Sequence, residues 1–375
     1  MCEENCDKGK GFIAVHVGAG YHSEEKKSNY KEACKEALLH GMKALQEGKS
    51  AIDSVTATIV ALEDNIWTNA GRGSNLTIQG TVECDAGLMD GRSLGFGAVG
   101  AVPDIQNPVL VARKLLSQQL EGNLSLGRIA PCLMVGAGAR DWGMDRGIHK
   151  STPDELITEQ SRATYKRYME RLEASQAKRA RMTMSGNKDS IGASCEEKSL
   201  DTVGAICLDS HGNVAAAASS GGISLKQIGR VGQAALYGCG CWAQNADDGL
   251  PGVGVATTGC GEQLVKTLFA RELATAVISK ETISDATSHA FQNNFLGSPF
   301  LKDVQEKQGG ALILKYCLSG GSVEDVECIW AYTTDSMCVG YMSSRDSKPK
   351  THLSRLPEHL QCGKSVVIEG AKVNL

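Results

Sequence analysis

Leu200-Asp201-Thr202-Val203-Gly204-Ala205-Ile206-Cys207-Leu208 is the stretch on which the fold of this chain turns. Thr202 to Leu208 is an apolar run of small and branched residues. Asp209-Ser210-His211-Gly212 follows as a turn, and Asn213 to Ala218 is a second apolar run. Two such runs joined by a short polar turn predict a buried β-hairpin. Upstream the character is opposite: Met182 to Leu200 mixes Ser, Gly, Asn, Lys, Asp and Glu without apolar periodicity, which predicts a flexible linker. The Asp-Thr border between them has two readings. Thr commonly opens strands and Asp is an ordinary turn residue, so the pair alone indicates only a strand start. A cleavable tether upstream and loops rich in Gly, Ser and Thr downstream support a chemical reading. An N-terminal threonine carries nucleophile and base together, because its free α-amine, with a pKa of about 7.7–8.0, can take the hydroxyl proton. That amine exists only after the Asp201–Thr202 bond breaks, so self-cleavage and active-site assembly are expected to be one event.

Working outward, Phe12 to Val17 reads as a buried strand entering Gly18-Ala19-Gly20, which lacks the third glycine of a dinucleotide fingerprint. Tyr30 to Leu45 and Ala51 to Leu62 have helical periodicity, and Thr68 to Asn75 is a loop of small residues. Strands are expected at Thr81 to Cys84 and Phe96 to Val102, a helix opening at Asn107-Pro108, and charged helix from Pro153 to Ala180. Beyond the hairpin, Glu262 to Ser279 and Thr282 to Asn294 read as helices, and Gly310 to Tyr316, Val326 to Tyr332 and Ser336 to Met342 as strands. Helices and strands come in runs without βαβ alternation. The class is α+β, with packed sheets between helical layers, and neither half covers its own sheet, so one domain is expected.

Composition narrows the function. The 375 residues are 42% hydrophobic with net charge −4, enough for a large core and unlike a nucleic-acid-binding surface. No apolar run is long enough to span a membrane, and Met1-Cys2-Glu3-Glu4-Asn5-Cys6 does not read as a signal peptide, so an intracellular protein is expected. The fourteen cysteines read as reduced thiols, and Cys239-Gly-Cys241 lacks the second pair that a zinc site needs.

Taken in order, a series of motifs resembles the threonine aspartases, a branch of the asparaginase type 2 family of N-terminal-nucleophile (Ntn) hydrolases. The series is His16-Val17-Gly18-Ala19-Gly20-Tyr21-His22-Ser23, Thr68-Asn69-Ala70-Gly71, Glu83-Cys84-Asp85, Met89-Asp90-Gly91 and Leu200-Asp201-Thr202-Val203-Gly204-Ala205. It continues with Ser219-Ser220-Gly221-Gly222, the run from Gly229-Arg230-Val231-Gly232-Gln233 to Trp242, and Thr258-Gly259-Cys260-Gly261-Glu262. The resemblance covers about Gly11 to Gly370 and implies a four-layer αββα sandwich, autoproteolysis at Asp201/Thr202 and a dimer of processed αβ units, 1–201 and 202–375.

By the same resemblance Thr202 is the nucleophile and Ser220 a hydroxyl that orients it. Arg230 grips the substrate's side-chain carboxylate, with Lys26 a second cation nearby and Gly261 on the substrate side. Thr258 and Gly259 form the oxyanion loop, faced by Asn69. Guanidinium suits its role, offering two parallel donors without losing its charge. The plain readings are a satisfied strand-end hydroxyl for Ser220, a surface arginine for Arg230, a solvated lysine for Lys26 and a turn residue for Asn69. Asparaginases and isoaspartyl peptidases of the family place an aspartate three residues after the arginine, for the α-ammonium of a free amino acid; here that position is Gln233. A neutral amide cannot balance an ammonium but can bond a peptide group. The expectation is therefore an endopeptidase cutting Asp-Gly bonds in protein substrates, typically nuclear transcription regulators, without cofactor or metal.

The basic residues Arg162, Lys166, Arg167, Arg171, Lys178, Arg179 and Arg181 read first as a solvated helix face. By resemblance they are also a bipartite nuclear import signal, giving an import receptor as partner and nucleus and cytoplasm as location. Rival readings are an asparaginase or isoaspartyl dipeptidase, a glycosylasparaginase (opposed by the absent signal peptide) and a catalytically silent scaffold.

Overall fold

The computed structural model describes residues 10–184, 201–247 and 249–375. Its thirteen described strands form two sheets. Strands β1 (Gly11–Gly20), β2 (Glu83–Asp90), β3 (Phe96–Pro103), β4 (Leu133–Val135), β5 (Val203–Asp209) and β6 (Val214–Ser220) belong to the first, with β11 (Ser336–Ser343) and β12 (Lys350–Arg355). The second holds β7 (Cys241–Gln244), β8 (Gly252–Gly259), β9 (Gly309–Ser319), β10 (Ser322–Tyr332) and β13 (Val367–Val373). The orders are β12-β11-β1-β5-β6-β2-β3-β4 and β13-β10-β9-β8-β7.

Three apolar layers join four structural layers. Val15, Val203, Ala205, Cys207 and Ala217 pack outward on α1 (Lys27–Gln46), α2 (Ala51–Asp64) and α3 (Pro108–Leu120). Phe12, Ala14, Ile206 and Ala216 point inward to Leu312, Leu314 and Tyr316 of the second sheet. Val253, Val255 and Ile313 then cover the helices Phe269–Ser279 and Ile283–His289. The period-two alternation of a strand produces both faces, and since both are covered strands β5 and β6 are buried along their whole length. This is the four-layer αββα sandwich in one domain. Four alanines in a row, Ala215 to Ala218, let the sheets approach closely.

Several boundaries differ from those expected. The strand placed at Thr81 to Cys84 runs from Glu83 to Asp90, because buried Asp85 is bonded by the Ala101 and Gly232 N–H groups and does not end it. Charged helix from Pro153 splits into α5 (Pro153–Leu156) and α6 (Glu159–Met184), after α4 (Gly136–Met144), which was not anticipated. Helix α6 runs through Met184, so the expected linker start at Met182 is helical, and residues 185–200 lie outside the described residues, as does Met1–Cys6. The single helix Glu262 to Ser279 is two, α7 (Gly261–Lys266) and α8 (Phe269–Ser279), broken where Leu268 takes a left-handed φ of 48°. Helix α9 (Ile283–His289) passes into a π-helical turn at Ala290–Leu296. Caps act where the sequence supplies them: the Ser50 hydroxyl accepts the Asp53 N–H at the start of α2, a contact worth about 1 kcal/mol.

Candidate active site

Thr202 immediately precedes β5 and is 4% exposed. Antiparallel pairing sets Val203 opposite Ser219, which brings Thr202 beside Ser220 at the end of β6. The Thr202 hydroxyl donates to Ser220 Oγ at 3.0 Å, and Gln233 Nε2 donates to Thr202 Oγ1 at 3.0 Å. Ser220 Oγ also accepts the Gly222 N–H at 3.0 Å. The proton and a lone pair of the Thr202 hydroxyl are thus both directed.

The expected residues fall into three groups. Thr202, Ser220, Asn69, Arg230, Gln233, Gly259, Gly261 and Asp201 line one cleft. Asn69 Nδ2 bonds the Gly222 carbonyl at 2.8 Å while its Oδ1 accepts the Asn75 N–H, so the loop after α2 is fastened to the Ser220–Gly222 turn. Gly259 ends β8 at φ 129°, and a Cβ there would lie 2.6 Å from the Gln308 carbonyl, so this turn requires glycine. Lys26 lies apart, as the residue before α1, 6.0 Å from the Trp67 ring centroid. It lines a neighbouring cavity of about 400 Å3 that shares Asn69 and Asp201 with the cleft. Thr258 is fully buried behind the cleft, where its Oγ1 accepts the Ala19 N–H at 3.2 Å, so it braces β1 while Gly259 faces the site.

The cleft itself encloses only about 10 Å3 in the uncut chain. A single water needs roughly that much. The Asp201 carboxyl sits 4.0 Å from His22 Nε2, and burial pushes it up to about 7, against the opposing pull of Lys26. The side chain retains 15% exposure, so its desolvation is partial.

Beneath the cleft lies a charged support absent from the sequence reading. Lys226, 2% exposed, donates to the Glu83 and Gly221 carbonyls. Asp85 accepts the Gly232 N–H at 2.7 Å and the Ala101 N–H at 2.8 Å. Burial pushes the Asp85 carboxyl up and the Lys226 ammonium down, and each charge offsets the other's penalty. This pair ties the Ser220 turn to the Arg230–Gln233 loop. Glu262 was also missed as a site residue: its Oε1 accepts from Arg230 Nε at 3.0 Å and Nη2 at 2.7 Å.

Cys239 and Cys241 are buried thiols bonded to the Tyr237 and Gly87 carbonyls, as a structural reading expects. Among the described residues no group of three or more His, Cys, Asp or Glu is placed to hold a metal, and no helix is long and apolar enough to cross a membrane.

The family profile described as asparaginase (Asparaginase_2) matches residues 9–347. An isoaspartyl peptidase/L-asparaginase of Xenopus laevis is 38% identical over 263 residues, 70% of this chain and 74% of that protein. An isoaspartyl peptidase of Escherichia coli (strain K12) is 38% identical over 272 residues, covering 71% and 76%. The isoaspartyl peptidase/L-asparaginase of Homo sapiens is 34% identical over 304 residues, covering 81% and 86%.

Proposed function

We propose that this chain, which belongs to the asparaginase type 2 family of Ntn hydrolases, is a precursor that cuts itself before Thr202 and then cleaves polypeptides after aspartate. The observation that carries the reading is Gln233. Its amide, not a carboxylate, stands on the nucleophile, and among the described residues the carboxylate lining the cleft is that of Asp201 itself. An α-ammonium entering there would find no fixed counter-charge, whereas a peptide group needs none. The self-cleavage site, an aspartyl bond, is of the same kind as the proposed substrate.

In self-cleavage, Thr202 Oγ attacks the Asp201 carbonyl carbon, its proton passes to the amide nitrogen as the C–N bond breaks, and water hydrolyses the resulting ester to the Asp201 carboxylate and the Thr202 hydroxyl beside its free α-amine. In turnover that amine takes the Thr202 hydroxyl proton as Oγ attacks the substrate aspartyl carbonyl. The leaving amine departs protonated, and water hydrolyses the ester on Oγ. In this reading the Gly259 loop and Asn69 supply donors to the developing oxyanion, each such donor being worth about 2.7–4 kcal/mol of barrier. Arg230 receives the aspartyl carboxylate.

A second reading is an isoaspartyl peptidase or L-asparaginase. The identity of 34–38% with proteins bearing those names supports it, and Arg230 suits a carboxylate in either case. The experiment is turnover by processed protein of an Asp-Gly peptide, a β-aspartyl dipeptide and L-asparagine. Cleavage confined to the peptide upholds the endopeptidase; turnover of the two small substrates with an intact peptide replaces it by the second reading. Assembly as a dimer of αβ units, nuclear protein substrates and import through the basic face of α6 belong to the same proposal. Arg162, Lys166, Arg167 and Arg171 are exposed on that helix, alongside Glu170 and Glu173.

A further inference from the structure

We propose that Glu262 is a positioning residue that latches one edge of the Arg230 guanidinium and so presents the other edge to the substrate's carboxylate. This rests on the reading of Arg230 as the carboxylate-gripping group. Glu262 stands in the first turn of α7, and its Oε1 takes both Nε and Nη2 of Arg230. Its second oxygen, Oε2, lies 3.8 Å from the Cys260 thiol, so both carboxylate oxygens are engaged.

The guanidinium packs directly against glycine backbone. A Cβ at Gly222 or at Gly232 would lie 2.9 Å from Nη1, and one at Gly261 would lie 2.8 Å from Nη2. Three glycines therefore leave free the volume the guanidinium occupies, and Glu262 bonds its Nε edge. The Glu262 bonds use Nε and Nη2 and leave Nη1 out, and Arg230 lines the cleft that holds Thr202. Arginine has many rotamers, and a carboxylate ligand that had to order the side chain itself would bind more weakly. Glu262 performs that ordering before substrate arrives. It also connects two recognition elements, because Cys260 and Gly261 continue directly from Gly259 of the oxyanion loop.

Burial raises the Glu262 carboxyl, and the Arg230 hydrogen bond and charge outweigh that and leave it below its usual range. It remains an anion wherever the enzyme works, and a second carboxylate sharing Arg230 must use the free edge.

The test is steady-state kinetics on processed wild type, Glu262→Ala, Glu262→Gln and Arg230→Ala, with whichever of the three substrates wild type turns over. Glu262→Ala should raise KM about tenfold or more with kcat within about threefold, the pattern of lost ground-state binding. Glu262→Gln keeps the acceptor oxygen and should hold KM within about threefold of wild type. An unchanged KM in Glu262→Ala beside a raised KM in Arg230→Ala overturns the role of Glu262 alone. An unchanged KM in both overturns the reading of Arg230 itself. A fall in kcat at constant KM also overturns positioning, since it places Glu262 with the oxyanion loop. Should Glu262→Ala fail to process, Glu262→Asp replaces it: a carboxylate drawn back by one methylene should raise KM where Glu262→Gln does not, and equal KM values refute the latch.

Discussion

Gln233 donates its side-chain amide to the hydroxyl oxygen of Thr202 across 3.0 Å, while Thr202 gives its own proton to Ser220. The residue expected to face substrate thus also holds the Thr202 hydroxyl. An amide in this place fixes the Thr202 rotamer without supplying charge, so under the proposed mechanism deprotonation falls to the α-amine.

Replacing Gln233 by Asp should therefore act in two ways. A carboxylate supplies the counter-charge that an amino acid's ammonium needs, and it removes the donor from Thr202 Oγ1. Processed Gln233→Asp is expected to gain turnover of L-asparagine or a β-aspartyl dipeptide and to lose about tenfold or more in kcat/KM on an Asp-Gly peptide. Parallel assays of the three substrates check this. Unchanged selectivity means that position 233 does not choose the substrate.

Ser220 should matter to maturation and to stability alike. Its Oγ is the acceptor for the Thr202 hydroxyl, and truncation leaves that buried donor unpaired. Ser220→Ala is expected to slow the appearance of two fragments by about 10- to 100-fold and to cost about 1–3 kcal/mol of stability for the donors left unpaired. Thr202→Ser should still cut and Thr202→Ala should remain whole. Intact mass over time reads all three, and rapid cutting in Thr202→Ala would remove Thr202 from the chemistry.

Local signals revealed the β5–β6 hairpin and its Asp-Thr border, because an apolar run, a polar turn and a second apolar run are enough to specify them. Longer-range relationships were hidden for definable reasons. Arg230 and Glu262 are 32 positions apart, and nothing in a linear pattern selects that carboxylate over others. Strand β2 was misplaced because Asp85 and Asp90 resemble turn residues until the N–H groups that bond Asp85 are seen. Strand β8 was missed since Gly252 to Gly259 is poor in large β-formers, yet it lies buried in the second sheet. The break between α7 and α8 falls on Leu268, a residue with no preference for the left-handed backbone it adopts.

Glu63 makes stability depend on pH. Burial pushes its carboxyl up to about 8, although the Ser219 hydroxyl at 2.7 Å and the Val109 N–H at 3.1 Å oppose the shift, as does nearby Asn107; Asp64 adds to it. A native pKa above the unfolded one means that the folded chain binds more protons, so this contribution to stability falls as pH rises from about 4 to 8. The wild type should lose on the order of 1–3 kcal/mol from this group between pH 5 and 8. In Glu63→Gln, which copies the protonated form, that slope should flatten. Urea melts across the range check it, and equal slopes in both proteins would assign the pH dependence elsewhere.

Gly204 tests how β5 is held beside the site. A Cβ at 204 would lie 2.2 Å from His16 Nε2 and 2.9 Å from Ala256 Cβ, so the imidazole occupies the volume a side chain would take. His16 is fully buried and burial pushes it down to about 3, leaving it neutral; its nearest polar neighbour is the Thr202 backbone, and neither ring nitrogen makes a well-aligned bond. Gly204→Ala should destabilise by about 1–3 kcal/mol through overpacking and slow cutting at Thr202. His16→Ala opens the same volume, so in the double variant the two costs should fall short of additive by about 1 kcal/mol or more. A double-mutant cycle of chemical denaturation, run in Thr202→Ala to hold every variant uncut, measures the coupling. Strict additivity would mean that the ring does not set the width of this gap.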